Sequence, residues 1–195
     1  MSDMNFFALP AVEANEPYDV GRSTRELLDH YVEYAKDTVL RDGYTAPVIV
    51  IRSEKKVNAI HCGPMMKDDA TKDQLATTLR QASLAMEAIA YVFIAESWIA
   101  RVDKSLGESY EAQRPSRRPD RIECVLISGQ YKGDRPGMRL LEMIRDAAGR
   151  VTRLVENDAY KDKDMTFEGR FVGLLDPAPD REPEDDRWRR IMDGI

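Results

Sequence analysis

The sequence predicts an α+β protein, built as a single antiparallel β-sheet with two helices packed on one face. Three observations carry that expectation. Two segments, residues 23–43 and 71–89, repeat apolar residues at helical spacing. Several β-branched or aromatic runs bounded by Gly and Pro fall between and after them. These runs succeed one another in the chain, and consecutive strands of that kind pair as meanders with the helices covering the sheet.

Residues 1–20 read as an irregular N-terminal arm punctuated by Pro10 and Pro17. The first helix starts at Ser23, with Glu26 three positions on to complete a capping box. Leu27, Leu28, Tyr31, Tyr34, Ala35, Thr38 and Val39 form its stripe, and Gly43 is placed to end it in a left-handed conformation. Residues 47–52 and 57–62 read as a hairpin joined by the polar residues 53–56. A second capping box, Thr71 with Gln74, opens the second helix, whose inner stripe is Leu75, Thr78, Leu79, Ala82, Met86 and Ile89. Residues 91–101 read as a long strand and 122–127 as another. The stretch 138–155 admits a helix face through Leu140, Leu141 and Ile144. A hairpin with Gly149 at a positive φ is preferred. Residues 167–175 add a last short strand. The domain thus spans 21–175, and 176–195 is a Pro-rich acidic tail. Leu75, Leu79, Ala82, Met86, Ile94, Ile122 and Leu126 are the expected core.

Composition narrows the function classes. The chain of 195 residues is 43% apolar and 33% charged, with a formal net charge of −6. Such a charge disfavours indiscriminate binding to nucleic acid or anionic membrane. No run reaches the roughly 18 apolar residues of a membrane helix. The first fifteen residues lack the basic start of a secretory signal, so a cytoplasmic location is expected. The two cysteines, Cys62 and Cys124, form no CxxC pair, so neither a disulfide framework nor a zinc site is expected. No GxGxxG, P-loop, GxSxG or HExxH pattern occurs, and no cofactor or metal is expected.

Some residues nevertheless have functional potential. Glu96 lies inside an apolar strand, sharing a face with Val92, Ile94 and Trp98. A carboxylate there is either a general acid/base of raised pKa, together with Glu123, or it pairs with an arginine and closes the core. Arg114, Arg117, Arg118 and Arg121 put four guanidinium groups into eight positions of an acidic protein. They suit an anion such as a nucleotide or another phosphorylated ligand, or they pair with nearby glutamates. His61 and Cys62 are strand neighbours and point to opposite faces, so they cannot form a nucleophile pair. In the tail, Trp188, Ile191 and Met192 share one face of a helical turn and are interface candidates.

The run 95–98 (Ala-Glu-Ser-Trp), the loop carrying Arg114, Pro115, Arg117 and Arg118, and the strand with Arg121 and Glu123 resemble a group of uncharacterised conserved bacterial and phage proteins. Those share a Glu-x-Trp strand, an Arg-Pro loop and an Arg-x-Glu strand. The resemblance covers about residues 90–150. It implies a bacterial or phage origin and no particular activity.

Three functions fit the sequence. The leading one is a non-enzymatic binding or interaction protein, with a protein partner, self-association or a small anionic ligand. The second is an enzyme acting on a phosphorylated or nucleotide substrate through Glu96, Glu123 and the arginine loop. The third is an assembly subunit that forms homo-oligomers.

Overall fold

The structure, a computed structural model, describes residues 22–100, 118–157 and 171–175. The arm 1–20, the loop positions Arg114 and Arg117, residues 167–170 and the tail with Trp188, Ile191 and Met192 lie outside the described residues. Residues 171–175, expected to finish a strand, form turns instead.

Helix α1 (Thr24–Asp42) is capped by Ser23, whose Oγ accepts the Glu26 backbone N–H at 3.3 Å. The Glu26 carboxylate reaches one residue further back than a standard box and accepts the Arg22 N–H at 2.7 Å. Gly43 ends the helix at φ 81°, and its N–H donates to the Val39 carbonyl. Strands β1 (Val48–Arg52) and β2 (Val57–His61) form the expected hairpin, with Val48 opposite His61 and Arg52 opposite Val57. The Ser53 hydroxyl closes the turn by accepting the N–H groups of Lys55 and Lys56.

Helix α2 (Asp69–Ala85) starts earlier than the sequence suggests. Its capping box is Asp68 with Thr71, not Thr71 with Gln74. Asp68 Oδ1 accepts the Thr71 N–H at 2.8 Å, and the Asp68 N–H donates to Thr71 Oγ1 at 3.3 Å. A carboxylate is the stronger cap, so the helix starts at Asp69, three residues earlier than a Thr71 cap would give. Its other end falls short of expectation. Ile89 has left the helix, and its N–H donates to the Arg52 carbonyl at 2.7 Å.

Strands β3 (Ala90–Ile99), β4 (Ile122–Tyr131), β5 (Gly137–Arg145) and β6 (Val151–Glu156) complete one six-stranded antiparallel sheet in the order β2-β1-β3-β4-β5-β6. The preferred hairpin reading of 138–155 is the one found, with Gly149 at φ 79° in its turn. The α+β class and the single antiparallel sheet are therefore as expected.

The placement of both helices on one face is not. Leu27, Leu28, Val32 and Val39 of α1 pack with Val92, Ile94, Val125, Ile127 and Leu141. Leu75, Leu79 and Ala82 of α2 pack with Ile49, Ile51, Tyr91 and Phe93. These two sets alternate along β1 and β3, so the helices lie on opposite faces. The reason is energetic. Fully burying one large apolar side chain contributes about 1.5–3 kcal/mol, and the central strands are apolar on both sides. A one-faced arrangement would leave Tyr91 and Phe93 in water.

Coverage is also uneven. Leu75, Leu79, Ala82 and Ile94 are buried as expected, whereas Met86, Ile122 and Leu126 are only half-buried. The β4 pair lies on the α2 face beyond the cluster that α2 seals over β1 and β3. On the other face α1 is held over the opposite half of the sheet. Thr24 Oγ1 accepts the Tyr131 N–H at 2.9 Å, and the Thr24 N–H donates to Asp134 at 2.7 Å. At Gly137 a Cβ would come within 2.8 Å of Leu28 Cδ1 and 3.0 Å of Thr24 Cγ2, so the glycine leaves these α1 side chains their room. Seated there, α1 contacts β3, β4, β5 and β6.

Candidate binding cleft

Because α1 covers β3 to β6, the same face of β1 and β2 has no helix above it. A cleft of about 410 Å³ opens between that strip of sheet and the flank of α1. Its floor follows from strand alternation: Val48, Val50 and Arg52 from β1, and Val57, Ala59 and His61 from β2. Its wall is His30, Tyr31, Tyr34 and Thr38 of α1, with Tyr44 and Thr45 at the rim. The size lies within the range of small-molecule pockets, roughly 300–1,000 Å³, and the lining is mostly apolar.

Arg52 gives this cleft its chemical character. Its backbone is fixed on both sides, paired to Val57 of β2 and Ala90 of β3, and its carbonyl accepts the Ile89 N–H. Its side chain is half-buried, and Nη1 is wholly buried with no hydrogen-bond partner. Arg139 shows how the same fold treats another buried guanidinium. It is 5% exposed, with Asp29 of α1 at 3.3 Å on one side and Glu156 of β6 at 3.4 Å on the other. No described carboxylate is placed that way for Arg52. Asp42 does line the cleft, but both its oxygens are bonded to Arg41 at 2.8 Å, which holds its carboxyl below the usual range. The balance inside the cleft is therefore cationic.

Both histidines of the chain line this one cleft. His61 is half-buried and makes no hydrogen bond or ion pair among the described residues. His30 is exposed and meets the edge of the Tyr31 ring, which in turn packs edge-on against Tyr34. Tyr34 and Tyr44 are half or more exposed, at 50% and 61%. A row of solvated aromatic rings beside an apolar floor is a surface able to grip a ligand from both sides.

The carboxylates and arginines singled out in the sequence do not line the cleft. Among the described residues Glu96 makes no ion pair with an arginine, the partner the structural reading expected. Its Oε1 accepts the backbone N–H of Thr45 at 2.7 Å, which ties the α1–β1 connection to β3 and so sets the cleft rim. Glu123 makes a two-pronged pair with Arg145, both contacts at 2.7 Å. That pair holds the Glu123 carboxyl below its ordinary value. Arg118 is bonded twice to Asp120 at 2.8 Å, and Arg121 lies over the Trp98 ring at 4.6 Å. Arg114, Arg117, Trp188, Ile191 and Met192 lie outside the described residues. Cys62 and Cys124 are fully buried, and burial pushes both thiols up to about 12.

Sequence reasoning missed Arg52, Tyr44 and the placing of both histidines along one cleft. An arginine ending a β-branched strand reads as the point where the strand meets water. The usable signal was parity, since Arg52 shares a face with Val48 and Val50, and His61 shares one with Val57 and Ala59.

No family model, curated protein or solved structure matches this chain. Among the described residues, no cluster of three or more His, Cys, Asp and Glu is placed to hold a metal ion, and no helix is long and apolar enough to cross a membrane.

Proposed function

We propose that the protein is a non-enzymatic binding protein for a small molecule with an apolar body and one anionic group. The observation that carries this reading is the buried, partnerless Nη1 of Arg52 at the floor of an otherwise apolar cleft. A buried polar group without a partner costs about 1–3 kcal/mol, so its retention calls for a compensating contact. A carboxylate, sulfonate or phosphate offers the geometry that a guanidinium fork matches. The valine floor and tyrosine wall supply the apolar grip.

The arginine loop contributes less to this reading than the sequence suggested. Arg118 and Arg121 already have intramolecular partners, and Glu96 and Glu123 are engaged in bonds that hold the fold. No acid/base role is assigned to either carboxylate.

Fluorescence titration with anilinonaphthalene sulfonate tests the proposal, with its neutral relative phenylnaphthylamine as control. Saturable one-to-one binding of the sulfonate is expected. Arg52→Met should weaken it about ten- to a hundredfold, the worth of a charge-assisted hydrogen bond. The neutral probe should be affected little. Equal sulfonate binding by the wild type and Arg52→Met would remove the reading.

A further inference from the structure

The floor of the cleft has two basic side chains, and they sit at opposite ends. The register places Arg52 beside Val57, and His61 beside Val48, with Val50 and Ala59 between them. Four residues of extended strand separate the two levels, about 13 Å at the usual rise. Everything on the floor between them is apolar. Neither end is satisfied from within: Arg52 Nη1 is buried without a partner, and His61 makes no bond among the described residues.

We infer that the cleft takes an elongated ligand with an anionic group at each end, an α,ω-dicarboxylate with an apolar middle. This rests on the binding function proposed above and adds a second anchor to it. One carboxylate meets the permanently charged Arg52. The other meets His61, whose half-buried ring can donate an N–H to a carboxylate oxygen.

The other polar side chains lining the cleft are not placed to do the same. His30 is on the α1 wall, not the floor, and its ring is engaged with Tyr31. Tyr31, Tyr34 and Tyr44 belong to the wall and rim. Asp42 is committed to Arg41, and that bond holds its carboxyl low.

Calorimetric titration of the full chain with decanoate and decanedioate provides the test. The two probes share an apolar chain and differ in the second carboxylate. Both should lose affinity in Arg52→Met. Decanedioate should bind the wild type about tenfold more tightly than decanoate, the worth of one added charge-assisted hydrogen bond. His61→Leu should abolish the gain without changing decanoate binding, and His30→Leu should leave the gain intact. A thermal melt of each variant confirms that it is folded, and the wild-type comparison stands alone if one is not. Equal affinities for the two probes, or a gain that follows His30, would overturn the two-ended assignment while Arg52-dependent decanoate binding still stood. Failure of both probes to bind the wild type would overturn both.

Discussion

Replacing Arg52 by Met should make the protein more stable, or leave it unchanged, while weakening anion binding about ten- to a hundredfold. Arg52 buries its stem beside Val57 and Ala90, and Met keeps a stem of similar length and apolarity. What Met removes is the guanidinium, whose Nη1 is buried and unpartnered. Relief of that group is worth up to about 1–3 kcal/mol. For a chain of this size each kcal/mol moves the midpoint about 2–4 °C, so a rise of a few degrees is expected. Urea unfolding with an unchanged slope would show that the folded state itself gained. Ligand then reverses the order. At a hundred times its dissociation constant a ligand stabilises the wild type by about 2.7 kcal/mol, and a variant that binds ten- to a hundredfold more weakly by only about 0.4–1.4 kcal/mol. The wild type should therefore melt lower than Arg52→Met alone and higher with saturating ligand. A loss of more than about 1 kcal/mol in the ligand-free variant would refute this reasoning, because it would mean that Arg52 holds the sheet together.

Three further outcomes follow from the same geometry. Leu79 is 1% exposed beneath α2, so Leu79→Ala should cost about 2–5 kcal/mol in denaturant unfolding, and a near-neutral result would mean that α2 is not seated on β1 and β3. The Glu123–Arg145 pair is about one-third exposed on each side, and a double-mutant cycle should assign it no more than about 1 kcal/mol. Because Arg145 lowers the folded-state pKa of Glu123, that contribution should be present above the unfolded carboxyl value, about 4.3, and fade as pH falls through the lower folded value, so a coupling energy that persists into strong acid would contradict the pairing. Burial raises the thiols of Cys62 and Cys124 to about 12, so neither should react with Ellman's reagent at about pH 8 in the native protein. Rapid native-state labelling of either would show that its side of the core is open.

The parts of the fold that sequence made legible are those fixed by local chemistry. Ser23 and Gly43 bracket α1 because capping and a left-handed terminus are decided within a few residues. The β1–β2 and β5–β6 hairpins were legible because their turns carry their own hydrogen bonds. The face on which each helix packs is a different kind of fact. It depends on β3 being apolar at both parities, with Val92 and Ile94 on one side and Tyr91 and Phe93 on the other, and that pattern is visible in the sequence. Reading it as a strand covered on both faces was the step not taken. The partners of Arg121 and Glu123 were hidden for a related reason. Arg121 and Glu123 are conspicuous in the sequence, yet Trp98 and Arg145 answer them across neighbouring strands, and such register is not encoded at short range.

The cleft itself follows from an offset between the two layers. α1 is pinned toward β4 and β5 by Thr24 and the close contact at Gly137, whereas α2 sits over β1 and β3 on the reverse face. The β1–β2 hairpin is thus supported from behind by α2 and left open in front. Support from one side gives Arg52 and His61 fixed positions; openness on the other gives a ligand access to them. A helix shifted toward β1 would have closed the strip with apolar side chains and left no place for an arginine. Glu96 bonds Thr45 from the same side and holds the connection that forms the rim, so the strand carboxylate that stood out in the sequence shapes the cleft without lining it.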